Sequence, residues 1–475
     1  MLNNLIDGRF ESASAFEAID VFNPSTGEKI GEIPDSPEAA VEEAIAAAKR
    51  AQPAWSARPA IERAGYLRRI AGLIREKRAA IANTIAREQG KILPLAETEV
   101  DFTADYVDYM AEWARRIEGE IIPSDRPNET ILLFRKAVGV VGGILPWNFP
   151  FFLFARKMAP ALITGNTIVI KPSEETPLNA EIFAQIVTDA ELPAGVVNVV
   201  HGRGASVGAA ITRHPDIDLI TFTGSTRAGS AIMAAASTNV TRVSLELGGK
   251  APAIVMADCD LDLAVRAVRD SRLTNNGQVC NCAERIYVQA SIANEFIARL
   301  SRAFEEVSYG DPLGAAGVGL GPLINGAAVQ RVQSMVDRAI AEGARVVAGG
   351  RADGTRGGFF FPPTVLVNCE QSMEIMHQEI FGPVAPVSVF HDLDEAIAKA
   401  NDCEYGLTSS IYTRDLRNAM RASNELLFGE TYINRENFEA IQGFHAGWRK
   451  SGIGGADGKH GVYEFTQTHV VYLQL

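Results

Sequence analysis

Apolar residues recur at every third or fourth position from residue 38 to residue 51, directly after Ser36-Pro37-Glu38. A hydroxyl able to cap, a proline at the first helical position and an acid in the opening turn predict a helix over 36–51 with Ser36 as its N-cap. The same spacing, with Arg and Lys between the apolar positions, predicts two or three more helices between 60 and 118. The N-terminal quarter is therefore expected to be mainly helical. From 129 the period shortens. Residues 130–137 suit an extended arm, and 138–145 an apolar strand closed by Pro146-Trp147-Asn148-Phe149-Pro150.

An alternation follows. Short apolar runs at 167–170, 196–200 and 219–222 are separated by helical patterns, and a second series has runs at 253–255, 345–347 and 386–390. Such alternation predicts parallel βαβ units and hence an α/β protein of two lobes. No linker rich in Pro, Gly or Ser, no low-complexity tract and no short-period repeat separates the lobes, so they should be joined closely.

Composition narrows the class. The 475 residues exceed one ordinary domain, and the 47% hydrophobic, 22% charged make-up is that of a globular protein. No stretch approaches the ~18 uncharged apolar residues that span a bilayer. The opening segment has neither a basic start with an apolar run nor an Arg-rich transit pattern, so no membrane association and a cytoplasmic location are expected. Five scattered cysteines suit reduced thiols, and a net charge of −13 argues against a nucleic-acid surface.

Several short segments offer chemistry. In Asn275-Asn276-Gly277-Gln278-Val279-Cys280-Asn281-Cys282 a thiol follows a polar, glycine-containing turn near a possible helix start. A cysteine is more often a small buried hydrophobe than a nucleophile, and this segment alone does not separate Cys280 from Cys282. Glu246, between two leucines and before a glycine pair, has the apolar setting that raises a carboxyl towards the range of a general base; it also suits a strand edge. Asn148 can donate to an oxyanion or serve an ordinary turn. Lys171-Pro172-Ser173-Glu174 sets a cation and a carboxylate three apart at a strand end, fit for ribose and phosphate or for a surface ion pair. Thr223-Gly224-Ser225-Thr226-Arg227-Ala228-Gly229 and the turn Gly202-Arg203-Gly204 with Gly208 can present backbone N–H groups to phosphate, although neither is G-x-G-x-x-G.

Their joint order is more specific. Pro146-Trp147-Asn148, Lys171 to Glu174, Phe222 to Gly229, Leu245 to Lys250, Gly277 to Cys280, Glu379 to Pro383 and Ser451 to Gly454 follow one another as in the aldehyde dehydrogenase superfamily, which the chain resembles from Leu5 to Leu475. The resemblance implies two Rossmann-type parallel-sheet lobes with a small β oligomerisation arm. An NAD-binding domain would take 1–117 and 138–247, a catalytic domain 248–448, and the arm 118–137 and 459–475, in a dimer or tetramer. It implies Cys280 as nucleophile, Cys282 as its neighbour, Asn148 with the Cys280 N–H as oxyanion holders and Glu246 as the base for hydrolysis. It further implies NAD contacts from Leu145, Trp147, Lys171, Ser173, Glu174, Gly204, Gly224, Ser225, Leu247, Glu379 and Phe381, with no metal. A carboxylate at Glu174 would repel a 2′-phosphate, which favours NAD over NADP.

The substrate wall departs from the relatives that act on apolar aldehydes. Arg156 stands where Trp is frequent, His445 where Phe is frequent, Glu439 at another commonly aromatic place, and Asn281 directly follows the thiol. Four polar groups favour a short polar aldehyde, and the opposed charges of Arg156 and Glu439 favour a neutral hydroxyl. Residues 276–283 and 430–439 resemble those of bacterial lactaldehyde/glycolaldehyde dehydrogenases. The alternatives are a succinate-semialdehyde or other semialdehyde enzyme, an Arg156–Glu439 pair that never meets substrate, and a non-catalytic protein on the same fold.

Overall fold

The apolar runs form strands that sort into two large sheets in the computed structural model, which describes residues 2–11, 16–314 and 317–475; Met1, where the first expected segment begins, lies outside them. The first sheet has eight strands in the order Arg9–Glu11, Asn4–Ile6, Val197–Val199, Thr167–Lys171, Val140–Ile144, Leu219–Thr223, Arg242–Glu246 and Gly452–Ile453. Its five central strands are parallel. Val140–Ile144 and Thr167–Lys171 are buried at every position, as strands covered on both faces must be. The edges depart from the all-parallel expectation: Asn4–Ile6 and Gly452–Ile453 both run antiparallel to their neighbours.

The second sheet has seven strands, Arg345–Ala348, Thr364–Val367, Val384–Phe390, Ala283–Gln289, Ala251–Val255, Thr408–Tyr412 and Glu430–Ile433. All but the first of these pair in parallel. A third, antiparallel sheet joins Thr466–Gln474 to Glu129–Ala137 over nine residue pairs, with Glu120–Pro123 on the far side. The lobes are tied where Gly452–Ile453 enters the first sheet and Leu247 donates to the Ser451 carbonyl at 2.9 Å.

The N-terminal quarter differs from its mainly helical expectation. Four short strands, Asn4–Ile6, Arg9–Glu11, Glu17–Phe22 and Lys29–Asp35, precede the helices. Ser36 is no cap. The helix spans Glu38–Ala57 with Pro37 at the N-cap position and no side-chain cap bond, because the buried Ser36 hydroxyl pairs with the Asn4 side chain at 2.9 Å. The three further helices are Ala60–Glu76, Arg78–Gln89 and Leu93–Glu112.

Position in the first sheet is what matters for function. Strand order reverses between Val140–Ile144 and Leu219–Thr223, so the chains leaving their carboxyl ends diverge and open a crevice. Residues 145–149 leave one of these ends and Gly224-Ser225 the other. No helix among the described residues is long and apolar enough to cross a membrane.

Candidate active site

After the crevice the chain enters the helix Pro150–Ile163, buried at all fourteen positions. Pro150 suits the first turn, where an N–H is not needed. The buried donors of that turn are met by Glu99, which accepts from the Phe151 N–H at 3.0 Å and the Phe152 N–H at 3.1 Å. The other oxygen of Glu99 pairs with Lys91. Lys91 also donates to the Asn148 carbonyl at 2.9 Å, as does the Asn275 side chain at 2.9 Å. Asn148 is thereby fixed, and its own amide donates one hydrogen to the Gln278 carbonyl at 3.0 Å. An amide has two, so one is left for the cavity.

The loop bearing Cys280 is held in left-handed backbone: φ is 48° at Asn275, 61° at Asn276 and 70° at Gly277. Asparagine tolerates this region, and at Gly277 a Cβ would lie 2.3 Å from the Gly382 carbonyl. A single 3-10 turn over Thr274–Gly277 precedes the thiol, and the strand Ala283–Gln289 follows it, with no α-helix between them. Cys282 turns inward, donates to the Val279 carbonyl, and burial pushes its thiol up to about 12. Cys280 instead borders two cavities, which share only Asn148, Thr223 and Cys280.

One cavity is a funnel of about 680 Å³, its open mouth included, walled by Phe102, Phe149, Phe152 and Phe438. The aromatic lining expected to be missing is thus supplied from other places. The four predicted polar residues do gather there: Arg156, Asn281, Glu439 and His445 all line the funnel together with Glu246. Asn281 donates to Glu439 at 2.5 Å, and Glu439 lies 3.6 Å from Arg156. The tight partner of Arg156 is another residue. Asp457 takes the guanidinium at two points, one of them Nε to Oδ1 at 2.9 Å, and this partner went unnoticed in the sequence. A signal was present: an arginine, with Lys157 beside it, inside a largely apolar helix demands a counter-ion. Asp457 holds φ at 69° at the start of the helix Gly458–Glu464 without capping it, its carboxylate being spent on Arg156.

Glu246 ends its strand buried, and neither carboxylate oxygen has a hydrogen-bond partner among the described residues. Burial pushes its pKa up to about 7, against the opposing pull of His445 and Arg156. Lys157, beside Arg156 on the buried helix, is pushed down to about 8 by burial against the pull of Glu246. The His445 imidazole lies 3.6 Å from Glu246 through Nε2 and 2.5 Å from Glu430 through Nδ1. A thiol, a carboxyl tuned near neutrality and a free amide hydrogen around one cavity form a set suited to acyl chemistry.

The second cavity, a cleft, is lined by Trp147, Gly224, Ser225, Leu247, Glu379 and Phe381, with Arg331 as an addition not singled out from the sequence. Trp147 packs edge-on to Phe381 at 5.5 Å between centroids. Glu379 accepts from the Gly249 N–H at 2.9 Å, and burial with the nearby Glu284 pushes it up to about 7. Ser225 caps the helix Thr226–Ala236. Further along the sheet, Lys171 lies 2.9 Å from Glu174, which also accepts from the Gly204 N–H at 3.2 Å. Leu145 contributes backbone, donating to the Lys171 carbonyl at 3.0 Å, and the Ser173 hydroxyl accepts from the Glu175 N–H at 3.3 Å.

Comparison with known proteins agrees with this geometry. The sequence profile described as "Aldehyde dehydrogenase family" matches residues 10–471. The chain is 60% identical to lactaldehyde dehydrogenase of Escherichia coli (strain K12) over 99% of its length and 98% of that protein. It is 43% identical to 3,6-anhydro-alpha-L-galactose dehydrogenase of Vibrio sp. (strain EJY3), covering 98% of each chain. The crystal structure of the Escherichia coli lactaldehyde dehydrogenase superposes with a TM-score of 0.99 at 60% identity, over 100% of this chain and 99% of that one.

The chain belongs to the aldehyde dehydrogenase family.

Aldehyde dehydrogenases use NAD or NADP, and the cleft of this one has the donor set such a dinucleotide needs. The helix start at Ser225-Thr226 has the N–H groups and dipole that could hold a pyrophosphate, and Glu174, outside the cleft lining, has carboxylate oxygens that could hold ribose hydroxyls. The cleft meets the funnel of this aldehyde dehydrogenase at Cys280, where an aldehyde carbon and a hydride acceptor can approach from opposite sides.

Proposed function

We propose that this aldehyde dehydrogenase oxidises a short 2-hydroxyaldehyde, lactaldehyde to lactate or glycolaldehyde to glycolate, with NAD as acceptor. One observation carries the substrate class: Asp457 holds Arg156 at two points and Glu439 flanks it at 3.6 Å, so the funnel floor offers hydrogen bonds without a spare cation. A carboxylate on the substrate would meet Glu439 as well as a neutralised arginine, whereas a hydroxyl can use Arg156, Asn281, Glu439 and His445. The 60% identity to the Escherichia coli enzyme supports the same choice. Steady-state assays with NAD on lactaldehyde, glycolaldehyde and succinate semialdehyde test it. The hydroxyaldehydes should have the higher kcat/KM, and a clear preference for the semialdehyde would overturn the reading.

In the proposed reaction the Cys280 thiolate adds to the aldehyde carbon, while the second Asn148 amide hydrogen and the Cys280 N–H hold the oxyanion. Bound in the cleft, the nicotinamide supplies the hydride acceptor. Glu246 then takes a proton from the water that attacks the thioester on Cys280, and the acid leaves. Presence of this base favours hydrolysis over transfer to coenzyme A. Lys171 and Glu174 would grip the adenosine ribose, with Ser173 and Gly204 shaping that end; Gly224 and Ser225 suit the pyrophosphate. Leu145, Trp147, Leu247, Glu379 and Phe381 would hold the nicotinamide half.

NAD is favoured over NADP because Glu174 would repel a 2′-phosphate. We assign cofactor binding to 1–117 and 138–247, the thiol-bearing domain to 248–448, and subunit pairing to 118–137 and 459–475. Support for the last comes from the three-stranded sheet, whose two outer strands leave Ile121, Tyr472 and Leu473 exposed. Such an apolar edge calls for a partner, in a dimer or tetramer that light scattering would size. Free thiols at all five cysteines suit the cytoplasm.

A further inference from the structure

Cys280 is flanked along the chain by two buried charges that line neither the funnel nor the cleft. Arg272 lies in the last turn of the helix Leu261–Leu273, before the thiol loop, and Glu284 lies in the strand Ala283–Gln289 after it. They stand 2.7 Å apart. Both reach across to one short turn, 380–382, which follows Glu379. Arg272 Nη2 donates to the Gly277 carbonyl at 2.6 Å and to the Gly382 carbonyl at 2.6 Å, and its Nη1 donates to the Ala283 carbonyl at 3.0 Å. Glu284 accepts from the Ile380 N–H at 2.9 Å and from the Phe381 N–H at 3.1 Å. Lys250, buried as well, brings a second cation to Glu284 at 2.8 Å.

Ions are tolerated in an interior only where their hydrogen-bonding groups are met, and here most of the partners are main chain of two separate segments. Against burial, Arg272 and Lys250 hold the Glu284 carboxyl down to about 2, so it remains an acceptor at any working pH. Phe381 keeps φ at 51°, a left-handed conformation unfavourable for an aromatic residue, and its N–H bond to Glu284 retains it there. Gly277 approaches Gly382 so closely that a Cβ would lie 2.3 Å from the Gly382 oxygen, and the guanidinium bridges the same two residues. Glu379 and Phe381 line the cleft together with Cys280, so what sets the turn against the loop also sets this wall against the thiol.

We propose that Arg272, backed by Glu284, is a positioning residue that locks the 380–382 turn to the thiol loop and so fixes the spacing between Cys280 and the wall that holds the nicotinamide half. It touches neither substrate nor cofactor. In hydride transfer the C–H bond of the Cys280 adduct breaks and its electron pair leaves with the hydrogen for the cofactor, a step whose rate falls steeply when the partners are misplaced. This rests on Cys280 as the nucleophile and on Glu379 and Phe381 as the cofactor wall, and the test separates the three.

The test follows single-turnover NADH formation by stopped flow, with lactaldehyde and with its C1-deuterated form. Arg272→Met should lower the rate constant about tenfold or more, with deuterium slowing it further, because a misplacement of about 1 Å can cost ~10²-fold. Rate is read rather than amplitude, since an unstable enzyme loses active molecules and not speed. Two measurements need no cofactor. Labelling of Cys280 by iodoacetamide, located by peptide mass spectrometry, should stay within about twofold of wild type. Hydrogen exchange should rise at 277–282 and 379–383 and stay as in wild type elsewhere. Arg272→Lys, which keeps the charge but not the planar fork, should fall between wild type and Arg272→Met in rate. An unchanged single-turnover rate in Arg272→Met overturns the proposal; if that variant does not fold, an unchanged rate in Arg272→Lys overturns it. Equal losses of labelling and of turnover overturn it too, because the effect then lies on the thiol alone. Label found away from Cys280 overturns the nucleophile assignment instead, and unchanged single-turnover rates in both Glu379→Gln and Phe381→Ala overturn the cofactor wall.

Discussion

The cleft and the funnel meet at Cys280 but are built from different materials. The cleft is largely main chain: the diverging ends of two parallel strands and the helix start at Ser225-Thr226. Its side chains mostly pack or hold backbone, as Trp147 does on Phe381 and Glu379 on Gly249. The funnel floor is almost wholly side chain. Arg156, Asn281, Glu430, Glu439, His445 and Asp457 come from widely separated segments and are joined by ion pairs and hydrogen bonds that span up to 301 positions of sequence. The two materials should respond differently to change. Main-chain sites average a substitution over many contacts, whereas a buried charge network passes the loss of one member to the rest.

Removing the junction should have the largest effect. Cys280→Ala should abolish NADH formation, a loss beyond about 10³-fold, while the cleft still binds NAD as followed by fluorescence titration. Turnover at the wild-type rate would dismiss the thiol. Next comes the base. Glu246→Gln should leave the acyl group on Cys280, detectable as a mass adduct after quenching, and lower steady-state turnover by about 10²- to 10⁴-fold.

In the wild type the same group sets a pH dependence whose sign follows from its raised pKa. Glu246 acts when ionised, and burial places its pKa at about 7, so thioester hydrolysis should fall as pH drops through that value. Rapid-quench measurement of deacylation would detect the limb, and its persistence in Glu246→Gln would assign it elsewhere.

The sharpest contrast between the regions comes from Asp457→Asn. Uncovering Arg156 on the floor should cut kcat/KM for lactaldehyde by about 10- to 100-fold and favour carboxylated aldehydes in relative terms, since breaking a buried pair frees a charge. An unchanged substrate ratio would mean that the arginine never meets substrate. On the cleft side, Glu174→Gln should shift the NAD to NADP preference by only about tenfold, measured as the ratio of kcat/KM values, because one charge among many main-chain contacts is altered.

The same division explains what was legible in the sequence. Strands and motifs of the cleft are local: the runs at 167–170 and 219–222 and the turn at Thr223 to Gly229 can be seen within ten residues of chain. The antiparallel hairpin of Asn4–Ile6 and Arg9–Glu11 left no such pattern because each strand is only three residues long and the hairpin joins the sheet through Leu5 at the distant Val199. Ser36 looked like a cap because the rule is local, and its actual partner, Asn4, is not. On the floor, Arg156, Glu439 and His445 stood out as polar residues in aromatic places, and Asn281 as the neighbour of the thiol. Their holders did not. Asp457 sits in a Gly-rich stretch where an Asp-Gly pair reads as a turn, and Glu430 begins an edge strand where a carboxylate is ordinary.

The shared wall of Asn148, Thr223 and Cys280 bears on inhibitor design. A small electrophile captured by Cys280 would have one substituent directed to each cavity. The arm entering the cleft would bind through backbone geometry common to the family and give potency across its members. Only the arm in the funnel, offering a neutral hydroxyl to Arg156, Glu439 and His445 between phenylalanine walls, would distinguish this enzyme from relatives with aromatic floors. Medicinal chemistry on this scaffold should therefore fix the cleft arm early and spend its variation on the other.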